Sequence, residues 1–255
     1  MILFKYVALA TARTILETNR IGFSRASFFN DPFDTPIATP IPTDNPIDGM
    51  FADIGAQGKS LIWEANTAFL SLTRTPANAL MWAHYADNHR GAVLAINAER
   101  AGFLDTETNL VPAHFGSVIY SRHRPGGPYH STFTTPIAVG ATHRFVLDHY
   151  EKWQRIFLTK PLEWAYEEEV RVAKCVRGLE PGYGANESGL CSLIDIGDRP
   201  LHCFAIPAEA ITGIYFGARV SDSDIATTVA TYPSIEHRRA RLDQRRFAIE
   251  LVDSV

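Results

Sequence analysis

The sequence lacks most of the features that identify a class of protein at once. Its cysteines, Cys175, Cys191 and Cys203, are odd in number and show no Cys-x-x-Cys spacing, which argues against a disulfide framework and a structural zinc site. No apolar run approaches the roughly 18 residues that a membrane-spanning helix needs. Internal repeats are also missing. The sequence has neither a Gly-x-Gly-x-x-Gly motif nor a P-loop, so the phosphate-binding loops with the strongest signatures are excluded.

An excess of positive charge is missing as well. The net charge is -4 and the sequence pI is near 6.1, so the whole chain lacks the electrostatic footprint of a general nucleic-acid binder. Reduced thiols and the lack of a spanning segment favour a cytoplasmic protein without a membrane partner. Lys5 interrupts the apolar residues 1–10, and Arg13 and Glu17 follow, so we interpret this segment as mature structure and not as a signal peptide.

The composition that remains is typical of a globular protein. With 46% hydrophobic and 20% charged residues in 255, the chain is expected to form one α+β domain over residues 1–255. Alternation and turn signals predict strands at 2–7, 20–24, 68–73, 92–97, 117–120, 235–242 and 247–252. Apolar spacing predicts helices at 11–19, 79–89, 142–160 and 222–231.

Two segments have the composition of loops. Residues 35–49 contain four prolines and no apolar period, so we expect an extended surface loop that acts as a mobile cover over a site. The apolar core should resume at Leu61. Residues 178–200 are rich in Gly, Asp and Pro, which predicts long turns around one short strand at 190–194.

The most informative stretch covers residues 160–172, where a helix stops at a proline and a charged strand begins. Strand periodicity places Glu167, Glu169 and Arg171 on one face. Trp164 stands just before them, a large ring that can cover a ligand or close a core. The pattern leaves two interpretations open: a wall of an active site, or a solvated strand face with weak cross-strand ion pairs.

A second polar and aromatic face belongs to the predicted helix at 79–89. Helical spacing places Trp82 and Tyr85 on one side of it. His84 and His89 are five positions apart, which is not the spacing that puts two metal ligands on one helix face, so no metal site is predicted.

Basic side chains crowd the predicted terminal strand pair. They are His237, Arg238, Arg239, Arg241, Arg245 and Arg246. They could hold a phosphate or a nucleic-acid backbone, or they could form a solvated face.

Several motifs together resemble one bacterial family, the domain-of-unknown-function family numbered two-nine-seven-one. They are Asn30-Asp-Pro-Phe-Asp34, Leu80-Met-Trp-Ala-His-Tyr-Ala-Asp87 with His89 and Gly91, Lys160 with Trp164, Tyr166-Glu-x-Glu169 with Arg171, and Ile214-Tyr-Phe-Gly-Ala218. This resemblance covers nearly the whole chain and implies no particular activity.

A weaker resemblance is to the ADP-ribosyltransferase superfamily. Its pattern has a basic or histidine residue on an early strand, then a Ser-Thr-Ser-like strand, then a late Glu-x-Glu strand. Lys5 or Tyr6, Ser71-Leu-Thr73 and Glu167-Glu-Glu169 follow in that order. The resemblance implies a mixed, mostly antiparallel split sheet with flanking helices, and NAD as the substrate.

The same resemblance implies roles for individual residues. Glu169 would stabilise positive charge on the ribose, and Glu167 would orient or deprotonate an acceptor, which could be a protein or a nucleic acid. Ser71 would support Glu169. Tyr85 or Trp82 would stack on nicotinamide. A toxin or phage-defence setting would suit such an enzyme.

Two alternatives come from other classes of function. In the first, the protein is a non-catalytic recognition module in which Trp82, Tyr85, Trp164 and Arg171 line a pocket for a nucleotide or a peptide. In the second, it is a hydrolase that uses Glu167 and Glu169 on a glycosidic or phosphoester bond.

Overall fold

A large β-sheet with flanking helices makes up most of the structure. The structure is a computed structural model that describes residues 1–34, 44–125, 140–197 and 199–254. Its strands are β1 (Ile2–Val7), β2 (Arg20–Ser24), β3 (Thr67–Thr73), β4 (Ala92–Asn97), β5 (Ile119–Ser121), β6 (Thr159–Pro161), β7 (Glu169–Cys175), β8 (Gly182–Asn186), β9 (Gly189–Ile196), β10 (Arg199–Ala205), β11 (Ile211–Phe216), β12 (Glu236–Leu242) and β13 (Ile249–Asp253). Its α-helices are α1 (Leu9–Thr18), α2 (Pro46–Asn66), α3 (Ala79–Tyr85), α4 (Tyr150–Phe157) and α5 (Asp222–Thr231). Short 3-10 helices lie at Ala26–Phe28, Ala113–Phe115, Leu147–His149, Leu162–Glu167 and Ala208–Ala210.

Eleven of the strands form one sheet. Its order is β13-β12-β11-β4-β1-β3-β2-β10-β9-β8, and β7 pairs with β3 beside this path. Neighbours run antiparallel except β11 and β12, which are parallel. The separate pair of β5 and β6 is also parallel. The predicted α+β class and mostly antiparallel sheet are therefore confirmed.

The sheet is split at β3. This strand pairs with β7 along its whole length, from Thr67 opposite Cys175 to Thr73 opposite Glu169. In the described residues its pairing with β1 is limited to Phe4 opposite Thr73, and its pairing with β2 is limited to Ser24 opposite Phe69. Residues of β1, β2 and β3 beside this gap line the cavity of the candidate site.

The core consists of three groups of apolar side chains. The largest includes Leu70 of β3 and covers the face of the sheet under α1 and α5. A second group joins α2 and α4, where Trp63 packs edge-on against Trp153. In the third group, Trp82 of α3 is fully buried and packs edge-on against Tyr6.

Local capping sets the ends of the early helices. α1 ends at Asn19, whose φ of 51° lies in the left-handed region that stops helices. α3 begins after Asn78, whose side-chain oxygen accepts the backbone N–H groups of the first turn. The predicted helix at 79–89 is too long, because residues 87–89 have φ of 45°, 52° and 69°. α3 ends at Tyr85 for that reason.

The 21-residue helix α2 is a correction to the sequence analysis. Pro46 occupies its first turn, and the Asn45 side chain accepts the N–H of Ile47. Residues 46–49 of the predicted loop are therefore helical, while residues 35–43 and the cover expected there lie outside the described residues. Leu61 is exposed and not core. The helix buries Ala56 and Trp63 and contains three glycines, which hid its apolar period.

The predicted helix at 142–160 is also too long. α4 covers only Tyr150–Phe157, a 3-10 turn precedes it, and β6 follows at Thr159–Pro161. Trp153 and Phe157 are buried as expected from their spacing. Lys160, expected at a helix end, lies instead on β6 beside Tyr120 of β5.

Residues 178–200 contain more strand than predicted. In place of one short strand at 190–194, β8, β9 and the start of β10 form an antiparallel meander. Their exposed residues and glycines gave little hydrophobic alternation, and pairing with neighbouring strands determined their conformation. By contrast, seven elements lie within one or two residues of their predicted positions: β1, β2, β3, β4, α5, β12 and β13. None of the described helices is both long enough and apolar enough to cross a membrane.

Candidate functional site

A buried ionic cluster lies on β7 at the split in the sheet. The Arg171 guanidinium donates to both Asp34 oxygens, and its Nη1–Oδ1 distance is 2.7 Å. It also donates to both oxygens of Glu169, from Nε at 2.9 Å and from Nη2 at 3.1 Å. Nη1 donates further to the Phe157 carbonyl at 2.8 Å. These bonds use the whole donor fork of Arg171 on two carboxylates and a carbonyl.

Lys160 joins a third carboxylate to this cluster. Its Nζ lies 2.5 Å from Glu167, 3.3 Å from Glu169 and 3.7 Å from Asp34. All five charged side chains are at most 5% exposed. Two cations face three carboxylates, so the cluster has a formal charge of -1.

Glu167 reaches the cluster by a different route than predicted. It ends the 3-10 helix Leu162–Glu167 and is not on a strand. Glu168 follows with φ of 46°, and β7 begins only at Glu169. The strand face predicted for Glu167 is therefore wrong, although Glu167, Glu169 and Arg171 do come together. A left-handed residue between the two glutamates turns both side chains toward Lys160.

Next to the cluster lies a cavity of about 420 Å³, which we call the central cavity. This volume is within the range of small-molecule sites, about 300–1,000 Å³. Its polar lining comprises Lys5, Ser24, Asn30, Asp34, Ser71, Thr73, His84, Lys160, Glu167, Glu169 and Arg199. Its aromatic lining comprises Phe4, Tyr6, Phe28, Phe29, Phe69 and Tyr85. The cavity combines aromatic walls with a charged floor.

Lys5 and Ser71 face each other across the split. Lys5 Nζ donates to the backbone carbonyl of Ser71 at 2.9 Å. Ser71 stands opposite Arg171 in the register of β3 and β7, and its side chain helps to lower the pKa of Glu169. The structure therefore brings Lys5, Ser71 and Glu169, from three strands, into one cavity.

Tyr85 of α3 closes one wall of the central cavity. Its hydroxyl donates to Glu167 at 2.5 Å and accepts from the Asn30 side chain at 3.3 Å. Tyr6 also lines the cavity, and its hydroxyl donates to the Thr75 carbonyl at 3.0 Å. α3 and the Glu167–Arg171 segment therefore meet at one cleft through Tyr85.

Two other aromatic residues lie elsewhere than predicted. Trp82 is fully buried, and its indole N–H donates to the Pro76 carbonyl at 2.9 Å. It packs in the core and does not line the central cavity, so it is not placed to stack on a ligand there. Trp164 is not part of the lining either, and its ring lies 5.0 Å from Lys160 Nζ. Arg171 does not line the central cavity. It hydrogen-bonds to Glu169 and Asp34, which do.

The cluster determines the ionisation of its members. Burial alone would raise the pKa of Glu169, but Arg171 and Lys160 lower it to about 2. Burial alone would lower the pKa of Lys160, but Glu169 and Glu167 hold it above its ordinary value. Burial lowers the pKa of Lys5, and the same two carboxylates offset this only in part. Glu169 is therefore a permanent anion at neutral pH.

Two members of the site were not assigned a role from sequence. Asp34 was visible only as the last residue of the turn Asn30-Asp-Pro-Phe-Asp34. Tyr120 carried no signal, yet its hydroxyl accepts the backbone N–H of Glu169 at 2.8 Å. A buried arginine needs buried anions as partners, so burial of Arg171 would predict a further carboxylate such as that of Asp34.

The Arg-rich terminal hairpin is away from this site. Arg239 pairs with Asp222 at 2.7 Å, and Arg246 pairs with Asp243 at 2.6 Å. Arg238 pairs with Glu236 at 2.6 Å, and all three arginine side chains are at least one-third exposed. The hairpin is largely a solvated, ion-paired face. Over the described residues, no group of three or more His, Cys, Asp or Glu side chains is arranged to hold a metal ion.

One comparison with known families gives a match. The family described as a protein of unknown function, DUF2971, matches residues 81–172, just over a third of the chain. The matched segment contains Lys160, Glu167, Glu169 and Arg171, and it leaves out Asp34, Lys5 and Ser71. This supports the resemblance to that family of unknown function. No curated protein and no solved structure matches the chain.

Proposed function

We propose that this protein is an ADP-ribosyltransferase-like enzyme that cleaves the bond between nicotinamide and ribose in NAD, with the central cavity as its site. The observation that carries the proposal is the convergence of Lys5, Ser71 and Glu169. They stand on β1, β3 and β7, far apart in the sequence, and they line one cavity with aromatic walls. Their order along the chain also follows the superfamily pattern.

Glu169 suits the electrostatic role in this reaction. As the carbon–nitrogen bond breaks, its electron pair leaves with nicotinamide and positive charge develops on the ribose. A fixed carboxylate stabilises that charge. With a pKa of about 2, Glu169 remains ionised, and Arg171 and Lys160 hold it in place.

Glu167 and Tyr85 suit the remaining roles. An acceptor hydroxyl or amine attacks the ribose carbon, and its proton passes to Glu167, which lines the cavity. The Tyr85 ring lies on the same wall, where it can stack on nicotinamide, while its hydroxyl fixes Glu167. The acceptor is a macromolecule in this proposal, and the setting is a cytoplasmic toxin or phage-defence protein.

A second candidate, a non-catalytic recognition module, is favoured by one specific observation. Both oxygens of Glu169 and both of Asp34 already accept hydrogen bonds from Arg171. Such a closed network can serve to keep a binding cavity rigid without any chemistry. A nucleotide or peptide would then bind beside Tyr85 without being consumed.

The hydrolase alternative has less support. A paired-carboxylate hydrolase needs one carboxyl group that holds a proton near neutral pH. Glu169, with a pKa of about 2, does not hold one, and Lys160 bridges it to Glu167.

Nicotinamide release from NAD labelled on the nicotinamide ring tests the proposal. The wild-type protein should release nicotinamide, and Glu169→Gln should lower the rate about 10² to 10³-fold because the amide lacks the stabilising charge. Glu180→Gln, a change at an exposed glutamate, is the matched control and should leave the rate unchanged.

The outcomes separate the candidates. NAD binding without nicotinamide release supports the recognition module. If NAD neither binds nor is cleaved, the enzyme is contradicted, and so is a recognition module for NAD. Release that continues unchanged in Glu169→Gln, together with a lowered melting temperature, would remove Glu169 from the mechanism and make it a structural residue.

A further inference from the structure

A second cavity lies beside the central cavity. It has a volume of about 610 Å³, and Lys160 lines both. We call it the arginine cavity. The residues that give it its character are Phe33, Arg122, His123, Arg124, Arg155 and Glu163.

The charge of this cavity is largely of one sign. Arg122 and Arg124 are exposed and follow β5 directly. Within the described residues, no carboxylate lies within 4.0 Å of either guanidinium. Arg155 pairs with Glu151 at 2.6 Å, and Glu163 is the one carboxylate among the lining residues. An anion placed here would meet guanidinium groups that no described carboxylate neutralises.

These two arginines differ from three of the arginines in the terminal hairpin. There, Arg238, Arg239 and Arg246 each bind a carboxylate within 2.7 Å. Arg241 of the hairpin, like Arg122 and Arg124, has no carboxylate within 4.0 Å among the described residues. Arg122 and Arg124 are set apart because they line one cavity together. Planar guanidinium groups bind phosphate through two parallel hydrogen bonds, which makes phosphate the anion that best fits them.

An exposed aromatic ring completes the cavity. Phe33 is 63% exposed, and Arg124 Cζ lies 5.7 Å from its ring centroid. A large apolar side chain exposed next to a guanidinium is a common platform for a nucleic base, because bases stack on aromatic rings while arginines take the phosphates.

We propose that the arginine cavity binds a nucleotide, with its phosphate against Arg122 and Arg124 and its base on Phe33. The phosphate can belong to a free nucleotide or to a single nucleic-acid strand, since both present the same chemistry. The proposal does not depend on the reaction in the central cavity. Because both cavities share Lys160, a bound nucleotide lies next to the carboxylate cluster.

Equilibrium binding by calorimetry tests this, with AMP, inorganic pyrophosphate and a short thymidine oligonucleotide as separate probes. Arg122→Glu and Arg124→Glu should each weaken AMP binding by about tenfold or more, because each removes a charge-assisted hydrogen bond and adds repulsion. Arg241→Glu on β12 makes the same charge change at an exposed arginine and is the matched control. It should leave binding unchanged.

A further variant tests the base platform. Phe33→Leu keeps an apolar side chain but loses the ring, so it should weaken AMP while leaving pyrophosphate unaffected. An oligonucleotide that binds more tightly than AMP, with a steeper salt dependence, identifies nucleic acid as the source of the phosphate. Equal affinities for the two identify a free nucleotide.

Three results would overturn the proposal: no binding of any probe, binding that survives in both arginine variants, or an equal loss in Arg241→Glu. If the wild-type protein releases no nicotinamide but still binds AMP, the proposed reaction is overturned and this proposal stands, so the two proposals fail separately.

Discussion

Arg171 on β7 and Asp34 in the turn after β2 form a bidentate pair across 137 positions of the chain. Both side chains are at most 4% exposed. The pair fixes the turn Asn30-Asp-Pro-Phe-Asp34 against the strand that carries Glu169. One guanidinium therefore holds together two parts of the candidate site.

Removing Arg171 should cost more stability than any surface pair in this protein. Arg171→Met leaves two buried carboxylates without their main partner, so the free energy of unfolding should fall by about 3–5 kcal/mol. Asp34→Asn should also destabilise, and the double variant should lose less than the sum of the two single losses, because the residues contact each other. Urea unfolding of all three proteins measures this coupling.

The control is a pair on the surface. Arg239→Met breaks the pair with Asp222, whose side chain is 88% exposed, and should cost less than about 1 kcal/mol. Equal losses for Arg171→Met and Arg239→Met would show that the buried cluster does not stabilise the fold.

Acid should reveal the ionised state of Glu169. Its pKa in the folded protein, about 2, lies below its ordinary value of 4.5. The unfolded chain therefore takes up the proton first, and the stability that this residue contributes is present above pH 4.5 and is lost as the pH falls toward 2. The contribution is on the order of 3 kcal/mol. The stability difference between wild type and Glu169→Gln should shrink over this range. A difference that stays constant with pH would contradict the assignment.

A methyl group at Gly116 should disturb the same strand. An added Cβ would lie 1.8 Å from the Arg171 carbonyl oxygen, and the Gly116 carbonyl accepts the Arg171 N–H at 2.8 Å. Gly116→Ala should therefore destabilise by about 3 kcal/mol or more, measured by urea unfolding. Gly58→Ala in α2 is the matched control. Apart from its own helix turn, no atom of the described residues lies within 4 Å of its added Cβ, so it should stabilise by up to about 1 kcal/mol.

A buried histidine should give the stability a second dependence on pH. His202 of β10 is fully buried, and neither ring nitrogen has a hydrogen-bond partner in the described residues. Burial and the nearby Arg25 lower its pKa from 6.5 to about 4. The unfolded state binds the proton first, so stability present above pH 6.5 is lost as the pH falls toward 4.

His202→Leu removes that titration. Wild type should lose about 2 kcal/mol between pH 7 and pH 5 from this group, and the variant should not. Thermal or urea unfolding at the two pH values measures the difference. An identical loss in both proteins would mean that folding does not lower the pKa of His202.

The residues of the candidate site could be predicted from the sequence more completely than their arrangement. Strand spacing correctly placed Glu169 and Arg171 on one face, but Glu167 joins them from a 3-10 helix, which the spacing did not predict. The partnership of Arg171 with Asp34 depends on how β7 and a distant turn pack, and spacing carries no information about that. Trp82 was predicted to line a ligand pocket and is instead in the core, because aromatic residues on a helix face occur equally in both places.

Two glycines from different motifs show the same limit of prediction from sequence. Gly217 and Gly91 were visible as residues of two separate motifs. In the structure the Gly217 N–H donates to the Gly91 carbonyl at 2.9 Å, and an added Cβ at Gly217 would lie 2.1 Å from the His89 carbonyl oxygen. The two motifs thus meet in one backbone contact, and this contact requires that residue 217 has no side chain. Neither motif alone indicates its partner.

The pairing of the sheet also affects how the chain can be made. β2 pairs with β10, and β4 pairs with β11, in each case with a partner more than 100 residues later. A ribosome adds about 5–20 residues per second, so β4 must wait on the order of ten seconds for β11 to be synthesised. During that time both early strands expose unpaired backbone edges. The nascent chain is therefore a strong candidate for chaperone binding, and the complete sheet can form only late in synthesis.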